Sequence, residues 1–349
     1  MKRILIVKLR PLGETLLAGP CFEAVREAYP KAQITALVQS PANQVLLKSG
    51  WVDEVFSYHQ GAIDRRGFFM RAWKHHQLAS ALQKRYFDLA IDLSGTHRSA
   101  QIVSWAKPVL KVGLGLPSIK RLFDVTAYSD DISKVPTTEL DGRVLHLIGL
   151  EPKPHDRPEG YLHVPAEAYQ YAGTFWKANR FTQDDMVIAI NPFAGRPTKE
   201  WYPAKWAVVI KELLDNGLKP FFTCAPLEKP KLSAIEKEMK RSIPTYSQPS
   251  IVPLLGLYKH SKAVISADSA PRHLAAAVGT PTLTLWGPET VSRWHPYSQE
   301  HHPIVIQEVP CRPCGLSVCL EKKHECMVAL QPADVVKALK PLLRKVVKA

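Results

Sequence analysis

Asp268, Ser269, Ala270, Pro271 and His273 stand together in the stretch SADSAPRHLAAAVG, between two β-like runs, AVISA and PTLTLWG. An acid, a hydroxyl and small residues ahead of an alanine-rich segment read as the turn from a strand into a helix. Pro271 suits the first helical turn, where its missing N–H would be unpaired anyway. Asp268 or Ser269 can cap the exposed amides, and Gly279 suits the helix end. The pattern puts Asp268, Ser269 and Ala270 at the carboxyl end of a parallel strand and at a helix N-terminus, a place that takes ligands and favours phosphate. The small side chains would let a bulky ligand approach the backbone. His273 taken alone reads as a packed histidine.

Cysteine offers the other recognisable spacing. Cys311, Cys314, Cys319 and Cys326 follow C-x2-C-x4-C-x6-C, whereas Cys21 and Cys224 stand apart. The first pair has zinc-ligand spacing, but the second does not complete the usual matched pair. A structural zinc or an iron–sulfur site stays open, and the expectation is reduced thiols in a loop with no metal, since cytosol disfavours disulfides. The pairs His75–His76 and His301–His302 lack evident partners and are assigned no role.

These residues need elements to position them. A chain of 349 residues is long for one core and suggests two domains. RILIVK (3–8), AQITALV (32–38), FDLAIDLSG (87–95) and LKVGLGL (110–116) read as strands of one largely parallel sheet, with a glycine turn at Gly13 and a helix over 15–29 carrying Pro20 near its start. A stretch with little periodicity, 149–168, reads as a linker, after which strand and helix patterns restart. The strand at 186–195, the helix at 203–217 closed by a glycine, and the runs KPFFTCAP, KAVISAD and PTLTLWG compose a second α/β half, ending in a helix, PADVVKALKPLLRKVV.

No apolar run approaches the roughly 20 residues that span a bilayer, and the four-residue ILIV near the start is too short for a signal peptide, so a cytoplasmic protein is expected. Lys and Arg number 46 against 32 Asp and Glu, a net charge of +14 that favours anionic partners.

The segments ILIVKLRPLGETLLAGPCFEAVREAYPKAQITALV, NPFAGRPTKEWYPAKWAVVI, SADSAPRHLAAAVGTPTLTLWGP and CRPCGLSVCLEKKHEC, in this order, resemble the lipopolysaccharide core heptosyltransferases, which have the GT-B fold. The resemblance implies two Rossmann-like domains with parallel sheets facing across a cleft. The first, 1–165, would bind the acceptor and the second, 166–330, the nucleotide-sugar; a C-terminal helix, 331–349, is placed to pack back on the first. It implies an inverting, metal-independent transfer of heptose from ADP-L-glycero-D-manno-heptose to the inner core of lipopolysaccharide, with no cofactor.

Residue by residue, Gly13 and Glu14 fall on the family's Gly-Asp, whose acid deprotonates the acceptor hydroxyl; the chain departs there by one methylene. Lys199 matches a lysine at the donor diphosphate. Asp268, Ser269, Ala270 and His273 match the loop at the donor's heptose and phosphates, where the usual residue after Asp-Ser or Asp-Thr is glycine; Arg272 is unusual. Glu228 matches an acid near the adenosine. Arg65, Arg66, Arg98 and Arg121 are assigned to the phosphorylated acceptor, since guanidinium groups bind such anions bidentately. A monomer, peripheral on the inner face of the inner membrane, follows from the same resemblance. The alternatives are a GT-B enzyme with another nucleotide-sugar and a basic nucleic-acid-binding protein. No recognition-helix, RNP or zinc-finger pattern supports the latter.

Overall fold

In the computed structural model, which describes residues 2–59, 68–129, 134–321 and 323–348, the chain divides into two units, Met1–His155 and Asp156–Ala349. Among the described residues each unit holds a six-stranded sheet in which every pairing is parallel. The first comprises β1 (Arg3–Lys8), β2 (Gln33–Gln39), β3 (Glu54–Tyr58), β4 (Leu89–Asp92), β5 (Leu110–Gly115) and β6 (Val125–Tyr128), in the order β3-β2-β1-β4-β5-β6. The second comprises β7 (Val187–Asn191), β8 (Lys219–Thr223), β9 (Thr245–Tyr246), β10 (Ala263–Ala267), β11 (Thr282–Trp286) and β12 (Ile304–Ile306), in the order β12-β11-β10-β7-β8-β9. Both are the doubly wound order of Rossmann-like sheets, with the strand order reversing between β1 and β4 and between β7 and β10.

Helices cover both faces of such sheets, so the central strands carry unbroken apolar runs. Ile4 to Val7 of β1, Ile188 to Ile190 of β7 and Ala263 to Ile265 of β10 are all fully buried. Gln33 pairs with Arg3 and Val38 with Lys8, so β1 and β2 end in register and their following loops emerge at one edge.

Several expectations change in the structure. The single helix expected over 15–29 is two, Leu12–Leu17 and Gly19–Ala28, with Pro20 in the first turn of the second, where a residue lacking an N–H is tolerated. Gly13 is a helical residue of the first of these, and the loop turns at Pro11 instead. The division between units falls at 155/156 because the backbone of Tyr161 and Leu162 hydrogen bonds to Ala277 O, at 2.8 Å each, and commits the linker to the second unit. A side chain at Gly160 would strike the backbone of Ala277 to Gly279, which explains glycine there. The terminal helix Pro332–Lys348 buries Val335, Leu339 and Leu342 in the core of the second unit, packing on the helix Pro203–Asp215, β11 and β12. Its apolar stripe is thus covered by that unit itself, where the sequence reading sent the helix back to the N-terminal domain.

Under the loop that follows β1 lies a buried ion pair. Lys8, the last residue of β1, places Nζ 2.7 Å from both carboxylate oxygens of Asp141 and 2.9 Å from Leu93 O. Both side chains are almost fully buried, and burial pushes the Asp141 carboxyl up to about 6 against the pull of Lys8. Removing one member of such a pair leaves an uncompensated charge in the interior. Lys8→Met should therefore cost about 3–5 kcal/mol in urea denaturation, and Lys8→Met/Asp141→Leu should recover most of it; equal losses in the single and double variants would show that the pair is not what the core depends on.

Candidate active site

The second unit's candidate site lies at its switch point, where the loops leaving β7 and β10 meet. The loop after β7 runs NPFAGRPTK and closes in a 3-10 turn, Pro197–Lys199. The loop after β10 is Asp268–Ser269, followed at once by the helix Ala270–Ala277. Ser269 Oγ donates to Phe193 O at 3.2 Å and joins the two loops. Lys199 Nζ donates to Asp268 Oδ2 at 2.8 Å.

Asp268 is buried and held from its other side by Arg272, whose Nε lies 3.0 Å from Oδ1. Burial alone would raise this carboxyl, but the charges of Arg272 and Lys199, with their hydrogen bonds, outweigh it and hold it below the usual carboxylate range. The same burial lowers the Lys199 ammonium, with Asp268 resisting. Arg272 itself is 1% exposed. Its guanidinium lies over the Trp286 ring, 4.7 Å from the centroid, and donates to Trp294 O at 2.7 Å. It also meets His295 Nδ1 at 3.2 Å. Burial and Arg272 push that histidine down to about 4, so at neutral pH its ring nitrogen accepts from the guanidinium.

A second carboxylate, Glu289, follows β11. It pairs with Arg196, stands 3.5 Å from Lys199 Nζ and accepts from Trp294 Nε1 at 3.1 Å. Three cations, Lys199, Arg196 and Arg272, therefore surround two carboxylates, Asp268 and Glu289, leaving a positive surplus at the strand ends. The helix Ala270–Ala277 adds to it. Neither Asp268 nor Ser269 caps this helix with its side chain, against the sequence expectation, because the carboxylate is taken by the two cations and Ser269 Oγ by Phe193 O. Ala270 enters the helix with an ordinary negative φ. His273 is buried and bonds Tyr297 OH through Nδ1 at 2.9 Å, a packed partner behind the loop. Glu228 sits in the 3-10 turn Pro226–Lys231 after β8, where its Oε2 accepts from Ala225 N at 2.9 Å.

In the first unit, Glu14 lies in the first turn of Leu12–Leu17, with Gly13 before it, and its Oε2 is 3.7 Å from Arg10 Nε. Arg10 Nε donates to Ser94 O at 3.0 Å, which joins the loops after β1 and β4 at this unit's own switch point. Arg98 opens the helix His97–Ala106 and stacks over Tyr58 at 5.8 Å. With His75, His76, His97 and Lys107 it lines a cavity of about 1170 Å³. Arg121 is exposed on the 3-10 turn Lys120–Leu122 after β5, away from that cavity's lining. Arg65 and Arg66 lie outside the described residues.

Sequence reasoning missed Arg196, Glu289 and His295, and noted Arg272 only as unusual. Arg272 was findable, because an arginine four residues after Asp268 shares its helical face. Glu289 also had a signal, as an acid just beyond the strand PTLTLWG. His295 had none.

Two doubly wound parallel sheets, one in each unit, are the sheets of the GT-B fold, which the solved heptosyltransferases share. Residues 75–325 match the model of glycosyltransferase family 9 (heptosyltransferase), and the chain belongs to that family. The lipooligosaccharide heptosyltransferase 2 of Haemophilus ducreyi is 23% identical, covering 98% of this chain and 99% of the relative. The lipopolysaccharide heptosyltransferase 3 of Escherichia coli is 24% identical over 96% of each. Among solved structures, a family 9 glycosyltransferase of Veillonella parvula superposes with TM-score 0.83 at 19% identity, over 99% of this chain and 98% of the other. E. coli heptosyltransferase WaaC with ADP-2-deoxy-2-fluoro heptose gives 0.72 at 20% identity, over 97% and 99%.

The buried charge array makes one requirement specific. Arg272→Met leaves Asp268 with one cation and strands Trp294 O, so it should destabilise the protein by about 3–5 kcal/mol in chemical denaturation. Arg272→Lys should also lose stability, because an ammonium cannot reproduce the planar fork over Trp286. Wild-type stability in Arg272→Lys would show that only the charge matters.

Proposed function

We propose that this protein transfers heptose from ADP-L-glycero-D-manno-heptose to the inner core of lipopolysaccharide, inverting the configuration at the transferred carbon. The observation that carries the reading is the surplus of cations, Arg196, Lys199 and Arg272, around Asp268 and Glu289 at the switch point of the second unit, in a chain of this family. The relatives named as heptosyltransferases, and the ADP-heptose analogue held by WaaC, support the choice of donor.

In this reading Lys199 and Arg196 take the donor diphosphate, with the uncapped amides at Ser269 and Ala270 beside them. Departure of ADP moves negative charge onto the leaving phosphate, and a fixed cation at that oxygen lowers the barrier more than it stabilises the bound donor. Asp268, locked by Arg272, accepts hydrogen bonds from hydroxyls of the heptose, and His273 supports the loop from behind. Glu228 serves the adenosine end. On the acceptor side, a hydroxyl oxygen attacks the anomeric carbon, the bond to the diphosphate oxygen breaks, and Glu14 takes the hydroxyl proton, with Gly13 leaving room for the acceptor. Arg98 and Arg121, with Arg65 and Arg66, bind acceptor phosphates and acid groups. The reading invokes no cofactor and no nucleic acid. Among the described residues no helix is long and apolar enough to cross a membrane. The net charge of +14 would hold a monomeric enzyme peripherally to the anionic inner-membrane surface where a glycolipid acceptor resides.

Binding of ADP should raise the melting temperature in step with ligand concentration over dissociation constant. A shift with UDP and none with ADP would point to another nucleotide-sugar. For the base, Glu14→Gln keeps size and hydrogen bonding but loses the proton acceptor, so turnover should fall by roughly 10²–10⁴ with ADP affinity little changed. Turnover within a few-fold of wild type in a folded Glu14→Gln protein would reduce Glu14 to a partner of Arg10 and of the helix end.

A further inference from the structure

Two carboxylates face the cations at the second unit's strand ends, and they are held in different ways. Asp268 accepts aligned hydrogen bonds on both oxygens, from Lys199 Nζ at 2.8 Å and from Arg272 Nε at 3.0 Å. Glu289 is also buried. Its Oε2 accepts from Trp294 Nε1 at 3.1 Å, and its main-chain oxygen accepts from Trp286 Nε1 at 2.8 Å and from Arg312 Nη2 at 3.3 Å, so two indoles and a guanidinium fix the residue. Oε1 is different. It is turned to Arg196 and Lys199, paired with the first and 3.5 Å from the second, yet it is shut off from solvent and accepts no hydrogen bond of ordinary geometry.

A buried carboxylate oxygen held by charge without aligned donors is the most replaceable member of the array. The cations it faces have directed bonds elsewhere: Lys199 to Asp268, and Arg196 through Nη1 to Gly315 O at 2.7 Å. A second anion can therefore take the Arg196–Lys199 face without breaking an aligned hydrogen bond.

We infer that Glu289 is a positioning residue that stands in for the diphosphate before the donor binds and works against the product once transfer is over. The inference rests on the reading that Arg196 and Lys199 hold that diphosphate. Before binding, the carboxylate keeps two like-charged side chains together at positions that an unopposed pair would leave. The arriving diphosphate takes over that role. Glu289, anchored through Trp294 and its own main chain, cannot withdraw far and remains as a like charge beside the bound anion. Its repulsion grows with the charge of that anion. Free ADP has on its terminal phosphate an ionisable oxygen that the sugar ester lacks, mostly ionised at neutral pH. Glu289 therefore disfavours ADP more than the nucleotide-sugar, and the product leaves a seat that still accepts donor.

The test compares the full chain with its Glu289→Gln variant by calorimetric titration with ADP and with ADP-heptose. The amide keeps the size of the side chain and an acceptor for Trp294 Nε1, and removes the charge. ADP should bind about tenfold more tightly to Glu289→Gln, the effect of removing one like charge from beside a buried anion, and ADP-heptose should gain less. In turnover, ADP should become a stronger product inhibitor by the same factor. Glu289→Asp keeps the charge and should bind ADP within a few-fold of wild type. A residue that only supported the fold would lose ADP affinity when changed, so weaker or unchanged ADP binding by Glu289→Gln overturns the inference. Equal tightening in Glu289→Asp, or an equal gain for ADP and ADP-heptose, overturns it too. Should Glu289→Gln not fold, Arg196→Gln/Glu289→Gln removes one charge of each sign and must bind ADP more tightly than Arg196→Gln; equal affinity overturns the inference. A wild type that binds no ADP would remove the heptosyl reading along with this one, whereas a wild type that binds ADP beside a Glu289→Gln variant that binds it no better removes this inference alone.

Discussion

The second unit is organised around a carboxylate almost wholly shut off from water. A buried Asp268 costs several kcal/mol in lost hydration unless cations meet it, and the fold brings two, Lys199 from the loop after β7 and Arg272 from the helix after β10. Those cations need support in turn. Trp286 gives Arg272 a ring face, Trp294 O accepts its protons, and Glu289 shares Arg196 and Lys199. Because the strands are parallel and the order reverses between β7 and β10, the loops carrying these groups emerge side by side. The result is a rigid set of cations that exceeds its own carboxylates.

The first unit repeats the topology with the opposite electrostatic outcome. Its strand-end cation, Lys8, spends all its bonds on Asp141 and Leu93 O. That pair supports the Arg10–Glu14 loop from beneath and offers nothing to an anion. Positive charge in this unit instead lies on the helix His97–Ala106 and its C-cap, at Arg98 and Lys107, which line the large cavity. One architecture thus carries a cation-rich site at the strand ends of one half, and in the other an acid in the first turn of a helix and, on other elements, a cavity lined by Arg98 and Lys107.

Much of this was legible because buried parallel strands leave an unmistakable mark. RILIVK and AVISA hold unbroken small or apolar runs, TLTLW alternates threonine with leucine, and the three fall on β1, β10 and β11, buried on both faces. The short β6, β9 and β12 carry two to four residues each, too few for a period to show. Gly13 read as a turn because glycine usually marks one, but Pro11 already supplies the bend and leaves Gly13 free to be helical. Positions of single charged residues at strand ends were readable, as at Asp268 and Lys199. Their partners were not, since Glu289 and His295 reach the site through tertiary packing that no local pattern encodes.

The two departures from the family's loop, Ala270 and Arg272, become intelligible together. Glycine is needed where φ is positive, but Ala270 occupies the first turn of a helix at negative φ, so its methyl brings no backbone strain. Arg272, one turn on, fixes Asp268 by an i, i+4 bond and is itself fixed by its stack on Trp286. Here the acid is locked before any ligand arrives, and the entropy of ordering it is spent in folding instead of in binding.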